Sequence, residues 1–289
     1  MRLFGLTAGL LSAALLSACT VGDRAPDAVS APVANEATSS NVALATQDGR
    51  TVDVTVVAPA RPEGVIIFSH GGGNSPAGMR PVLDRLAGEG FVVLAPLHTD
   101  SQAMPADRRT DIFGAFPTRV ADLKATAEYV AKTYPDLPLG TFGYSYGSLI
   151  AIVGAGACQP AVDGQIEGLD AVVMFSTPGP IPVLTDPPDA FVDVVEPTLL
   201  VTGTADVVPQ FVPDPKGHLV YFERLPAGDH TALVVERATH GFVGGAEPGI
   251  DEVSALVLAF LRSRMLGDRA AARQFDTAES STLVDIRRR

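Results

Sequence analysis

Short apolar runs alternate along the chain with segments whose apolar residues recur every three or four positions. Residues 64–69, 91–95, 139–142, 171–175 and 198–202 are near-continuous apolar runs, as expected of strands buried on both faces. A shorter run follows at 232–235. Between them, Met79, Val82, Leu83 and Leu86 fall on one helical face closed by Gly88, and Val120, Leu123, Ala127 and Val130 share a face within 118–132. Residues 216–225 and 251–264 read as further helices. At the front, Asp48-Gly49 separates apolar residues 42–44 from 52–57, a hairpin signal. Strands that alternate with helices predict an α/β class protein: a mostly parallel sheet with helices on both faces.

Neither end follows this pattern. Residues 20–40 are Ala, Pro, Ser, Asp and Asn with almost no large apolar side chain, so 19–41 is read as a flexible tether and the folded domain as 42–265. Residues 266–289 are polar and charged, a surface helix or a frayed tail with a solvated Arg287-Arg288-Arg289 end. Residues 1–18 have a short positive start and a Leu/Ala-rich run too short for a membrane span, the pattern of a secretory signal peptide. The run ends in Leu16-Ser17-Ala18-Cys19, which resembles the lipobox of bacterial lipoproteins. That resemblance implies cleavage before Cys19, lipidation of Cys19 and anchorage to a bacterial membrane on its extracytoplasmic side.

Composition narrows the picture further. The chain has 289 residues, 46% of them hydrophobic, enough for one large α/β domain. Net charge is −12 with no basic stripe, which excludes nucleic acid as an expected partner. With two cysteines, Cys19 and Cys158, no disulfide framework is expected, and Cys158 reads as an inert apolar filler. The five histidines show no metal-ligand spacing, so neither a metal nor a cofactor is expected.

The chemistry gathers at Gly143-Tyr144-Ser145-Tyr146-Gly147. An apolar strand enters this Gly-x-Ser-x-Gly run and a small-residue helix leaves it, a turn that lifts the central hydroxyl above the sheet edge. The pattern alone is a weak signal; its context strengthens it. Ser145 is the candidate nucleophile. Asp206 lies just beyond the strand at 198–202 and is the candidate acid; His240 follows the last strand and is the candidate base. Two backbone amides should hold the oxyanion: that of Tyr146, after the nucleophile, and one from the loop that follows the strand at 64–69.

Other residues rank lower. His230 precedes its strand and so should sit at the opposite sheet edge from Ser145; Asp170 is a poor acid for the same reason. His98 is read as a structural loop histidine ahead of a substrate contact, His70 as a brace for the glycine loop, and His218 as exposed on a helix. Arg119 and Asp122 stay open between a helix-start brace and a solvated pair. Tyr144 and Tyr146 either line the pocket or pack. The interval 176–197 is too short for a helical lid of any size, which predicts an open or loop-rimmed pocket and no large cap domain.

Elbow, acid turn and terminal histidine together resemble the α/β-hydrolase superfamily. Ser69-His70-Gly71-Gly72-Gly73, Arg119-Val120-Ala121-Asp122 and Thr239-His240-Gly241-Phe242 are similar to its dienelactone-hydrolase-like and platelet-activating-factor-acetylhydrolase-like esterases. Ser145 departs from true dienelactone hydrolases, which use cysteine there, and so favours ordinary esters. The resemblance implies a serine hydrolase of short or medium acyl carboxylic esters, in which the residue after His70-Gly71 supplies the second oxyanion amide: Gly72, with Gly73 next in line. A thioesterase, peptidase or acyltransferase using the same site, or a non-catalytic lipid-anchored binding protein, remain the alternatives.

Overall fold

The computed structural model describes residues 36–159 and 161–289. The expected signal peptide, Cys19 and most of the expected tether lie outside the described residues.

The described residues form one nine-stranded sheet. In chain order its strands are β1 (Ala37–Ala45), β2 (Thr51–Pro59), β3 (Gly64–Ser69), β4 (Phe91–Pro96), β5 (Leu139–Tyr144), β6 (Leu169–Phe175), β7 (Thr198–Gly203), β8 (His230–Val235) and β9 (Val284–Arg288). Their spatial order is β1-β2-β4-β3-β5-β6-β7-β8-β9. From β4 through β8 neighbouring strands run parallel; β1, β2 and β9 pair antiparallel at the two edges.

The apolar runs were continuous because both faces of the central strands are covered. Successive side chains of a strand point to opposite faces. Val65 and Ile67 of β3 therefore enter one core, and Ile66 and Phe68 enter the other. The first core packs α2 (Ala115–Thr133) and α3 (Tyr146–Val153). The second packs α1 (Arg80–Gly88), α6 (Ile250–Leu266) and α7 (Arg269–Asp276). Two short helices complete the set, α4 (Pro182–Thr185) and α5 (Val220–Arg224). The expected helix over 216–225 is a 3₁₀ turn, Pro215–Leu219, running into α5. Nothing larger than α4 occupies 176–197, so the fold has no large cap domain.

Both expected boundaries shift outwards. β1 begins at Ala37, not near Val42, and pairs with β2 from Ala37 opposite Pro59. Residues 37–41 are exposed, so backbone pairing alone makes them a strand and no apolar signal marks it. At the other end, 266–289 is no frayed tail. Ala271 and Phe275 of α7 and Val284 of β9 are buried, and β9 pairs with β8 from Val284 opposite Val235. Its remaining side chains are mostly charged and exposed, which suits an edge strand that must not recruit another chain.

Register sets the site. Ser69 pairs with Gly143, Phe175 with Tyr144, and Gly203 with Val235. The carboxyl ends of β3, β5, β6, β7 and β8 thus lie along one rim, where ligands bind in open α/β sheets.

Candidate active site

Ser145 joins β5 to α3 with φ 53° and ψ −119°, a strained conformation for a residue with a Cβ. Its amide donates to the Phe175 carbonyl at 2.8 Å, which ties the turn to β6. The flanking glycines are obligatory. A Cβ on Gly143 would stand 2.1 Å from the Gly147 carbonyl oxygen, and one on Gly147 would stand 1.9 Å from that of Ser69.

The structure brings the three separated side chains together. Ser145 Oγ lies 3.0 Å from His240 Nε2, and His240 Nδ1 lies 2.7 Å from Asp206 Oδ1. With Nδ1–H donating to the carboxylate, Nε2 is left as the acceptor facing the hydroxyl. The Tyr144 hydroxyl donates to the His240 carbonyl at 2.9 Å and holds the loop after β8 in place.

Asp206 is fully buried. Burial alone would raise its carboxyl, but hydrogen bonds from His218 and His240 outweigh that and hold it well below the usual carboxylate range. Thr202 Oγ1 donates to its other oxygen at 2.9 Å. His218, expected to be exposed, is buried, with Nε2 2.9 Å from Asp206 Oδ1 and Nδ1 against the Thr177 carbonyl. The 3₁₀ turn at Pro215–Leu219 folds it inwards beneath the acid. No sequence signal marked it, since its partners are distant in the chain. The histidine spacing likewise hid a convergence: donor atoms of Asp206, His218 and His240 lie within 4.8 Å of one another. In the arrangement seen, both imidazoles hydrogen-bond directly to the shared carboxylate oxygen.

The glycine loop faces the elbow. Gly73 donates its amide to Asp100 Oδ2 at 3.0 Å, so the second-choice oxyanion donor is already engaged. The Gly72 amide has no acceptor among the described residues. The Tyr146 amide lies in the first turn of α3, where amides have no intrahelical acceptor. Gly72, Ser145, Tyr146 and His240 line one cavity of about 780 Å³. Apolar side chains form most of the rest, among them Ile112, Phe116, Leu149 and Ile181. Phe113 and Phe211 stand at its mouth with ring centroids 6.3 Å apart, 78% and 45% exposed. Loops and the one-turn helix α4 within 176–197 border the pocket, and no larger lid covers it among the described residues.

Arg119 and Asp122 are a buried brace, but each with its own partners. Arg119 pairs with Asp100 through Nε–Oδ1 at 2.8 Å and Nη2–Oδ2 at 2.9 Å. Asp122 lies 2.9 Å from His98 Nδ1 and 2.9 Å from Arg50 Nη2. His98 Nε2 in turn lies 2.9 Å from Ser69 Oγ. His98 is thus a buried structural residue, held neutral chiefly by burial and then by the Arg119 charge. His70 braces the loop: Nδ1–H donates to the Gly71 carbonyl at 2.8 Å, and Nε2 accepts from the His98 amide at 3.2 Å. His230 opens β8 at the far sheet edge with both ring nitrogens unpartnered. Asp170 accepts from the Leu139 amide. Cys158 is buried, and burial pushes its thiol up to about 11.

Known proteins match this architecture. The family described as serine aminopeptidase, S33, matches residues 60–168. A Mycobacterium tuberculosis protein provisionally named a phosphoribosyl transferase, found in two strains, is 31% identical over 224 residues, 73% of this chain and 44% of its own length. The chain spans less than half the length of these curated relatives. Among solved structures, an esterase of Pyrococcus furiosus superposes with TM-score 0.62 at 19% identity, over 79% of this chain and 92% of its own. A cold-adapted esterase from an Arctic intertidal metagenomic library gives TM-score 0.61 at 19% identity, over 79% and 94%. Sheet order, elbow and these neighbours agree: the chain has the α/β-hydrolase fold.

Proposed function

We propose that the chain is a serine hydrolase that cleaves carboxylic esters through an acyl-enzyme. The carrying observation is the relay Ser145–His240–Asp206, at 3.0 and 2.7 Å, on a strained elbow beside an apolar cavity. Ser145 Oγ attacks the acyl carbon while its proton passes to His240 Nε2. The carbonyl oxygen becomes an oxyanion that the Gly72 and Tyr146 amides stabilise. Collapse expels the alcohol, which takes the proton from Nε2. Water then repeats the sequence on the acyl-enzyme, giving up a proton to Nε2 and releasing the acid. Asp206 fixes the tautomer of His240 throughout. No metal or cofactor enters these steps.

The apolar cavity suits the acyl side of a short- or medium-chain ester, and the Ser69–Gly73, Arg119–Asp122 and Thr239–Phe242 sequences favour the dienelactone-hydrolase-like branch. Ser145→Ala should lower turnover of a p-nitrophenyl ester by roughly 10⁴–10⁶-fold, and retained turnover removes this reading. The S33 match favours peptidase activity as the second reading. A panel of matched esters, thioesters and aminoacyl amides separates the two, with hydrolysis of amides alone selecting the peptidase. We also propose lipidation of Cys19 and membrane anchorage, on the Leu16-Ser17-Ala18-Cys19 motif. Cys19→Ser should then move the protein from the membrane fraction to the soluble fraction.

A further inference from the structure

Arg119 is the largest fully buried side chain, and the ester-cleaving steps above do not use it. A buried guanidinium is costly unless its donors are matched. Here all five N–H groups have partners. Nε and one Nη2 hydrogen take the two oxygens of Asp100. Nη1 reaches the His70 carbonyl at 2.8 Å and Ser69 Oγ at 3.5 Å, and the other Nη2 hydrogen reaches the Gly71 carbonyl at 3.2 Å. The guanidinium carbon also lies 4.4 Å from the centre of the Tyr146 ring.

These contacts fix the orientation of the glycine loop. In a planar trans peptide the C=O and N–H point in opposite directions. The Gly71 carbonyl faces Arg119, so the amide of Gly72, in the same peptide unit, points away from it. The next unit is fixed from its other end, because Asp100 accepts from the Gly73 amide. His70 Nδ1 and the Asn74 amide also donate to the Gly71 carbonyl and support the same orientation. A cationic donor on the carbonyl polarises the peptide unit and strengthens its N–H as a donor. The same guanidinium packs against Tyr146, whose amide is the other proposed donor.

We propose that Arg119, held by Asp100, is the positioning residue of the oxyanion hole. It fixes the Gly72 amide from behind and buttresses Tyr146 from the side. It touches no substrate and acts through those two residues. This rests on the esterase reading above.

Arg119→Lys keeps the charge opposite Asp100 but offers three donors in place of five and no planar fork. In steady-state assays on a p-nitrophenyl ester, kcat should fall about 10²–10³-fold, the scale of losing one oxyanion donor, with KM within about threefold. Affinity for a trifluoromethyl ketone that forms the tetrahedral adduct should fall by the same factor as kcat/KM, since only the oxyanion state is affected. A variant with lowered Tm but with kcat and ketone affinity within about threefold of the parent would overturn the inference. If Arg119→Lys does not fold, Asp100→Asn tests the same brace; it should show the same split between kcat and KM, at least about tenfold, and equal kcat there overturns it. Ser145→Ala runs alongside. If it abolishes turnover while the brace variants match the parent, the inference alone fails. If it leaves turnover intact, the esterase reading falls and takes the inference with it.

Discussion

Asp122 offers a quantitative test of the buried network behind the glycine loop. Its carboxyl sits on α2 with no exposed side-chain surface, between Arg50 and His98. Burial pushes its pKa up from 3.8 to about 7, against the opposing pull of Arg50. The folded state therefore holds this proton more tightly than the unfolded chain between about pH 4 and pH 7. Stability contributed by the neutral form is present at low pH and is lost as pH rises through that window. From pH 5 to pH 7 the slope is at most about 2.3RT per pH unit and halves as the group reaches its midpoint, so the loss is on the order of 2 kcal/mol. Asn at this position stays neutral throughout. Urea unfolding of the parent and of Asp122→Asn at pH 5, 6, 7 and 8 isolates this group, because other titrations are common to both proteins and cancel in the difference. The parent's stability relative to the variant should fall by roughly 2–3 kcal/mol between pH 5 and pH 8. Stability curves that run parallel over that range would refute the argument and show Asp122 to be ionised throughout.

Further expectations concern the pocket, the acid and the sheet edge. Across p-nitrophenyl esters from acetate to octanoate, kcat/KM should rise up to about fourfold per added methylene while the chain still enters the cavity, from about 0.8 kcal/mol per buried CH₂; Phe211→Ala should flatten the rise, and a steady fall from acetate onwards would contradict an apolar acyl site. His218→Asn removes a buried donor to Asp206, and should cost about 1–3 kcal/mol in urea unfolding; an unchanged midpoint would contradict the buried contact. Removing residues 280–289 strips β9 from β8 and exposes a fully buried strand edge, so Tm should fall and soluble aggregates should appear on size exclusion; an elution profile and Tm equal to the parent's would show β9 to be dispensable.

Glycine and burial patterns made much of this legible in advance. The central strands announce themselves because a two-sided core demands continuous apolar residues. The elbow announces itself because backbone atoms pass within 2.1 Å of where a Cβ on Gly143 or Gly147 would stand. The elbow motif, the strand ends and the chain order together picked Ser145, Asp206 and His240 as residues that should meet, since each follows a strand that ends on the same rim. Less was readable where function depends on backbone pairing or on distant partners. Residues 37–41 and 284–288 become strands by hydrogen bonding to β2 and β8, and their mostly exposed side chains, Val284 apart, leave little trace of that in the sequence.

The sequence by itself determined the layered α/β sheet, the position of the strained serine and the order of its two partners, because local patterning, steric exclusion and strand direction follow from residue type and spacing. Only the tertiary structure decided that His218 turns inwards onto Asp206, that Gly73 is engaged and Gly72 is free to donate, and that Arg119 and Asp122 choose Asp100 and His98 over each other. Those outcomes depend on which buried donors and acceptors come within about 3 Å once the chain has packed. Burial then requires every charge to find a partner, wherever in the sequence that partner lies.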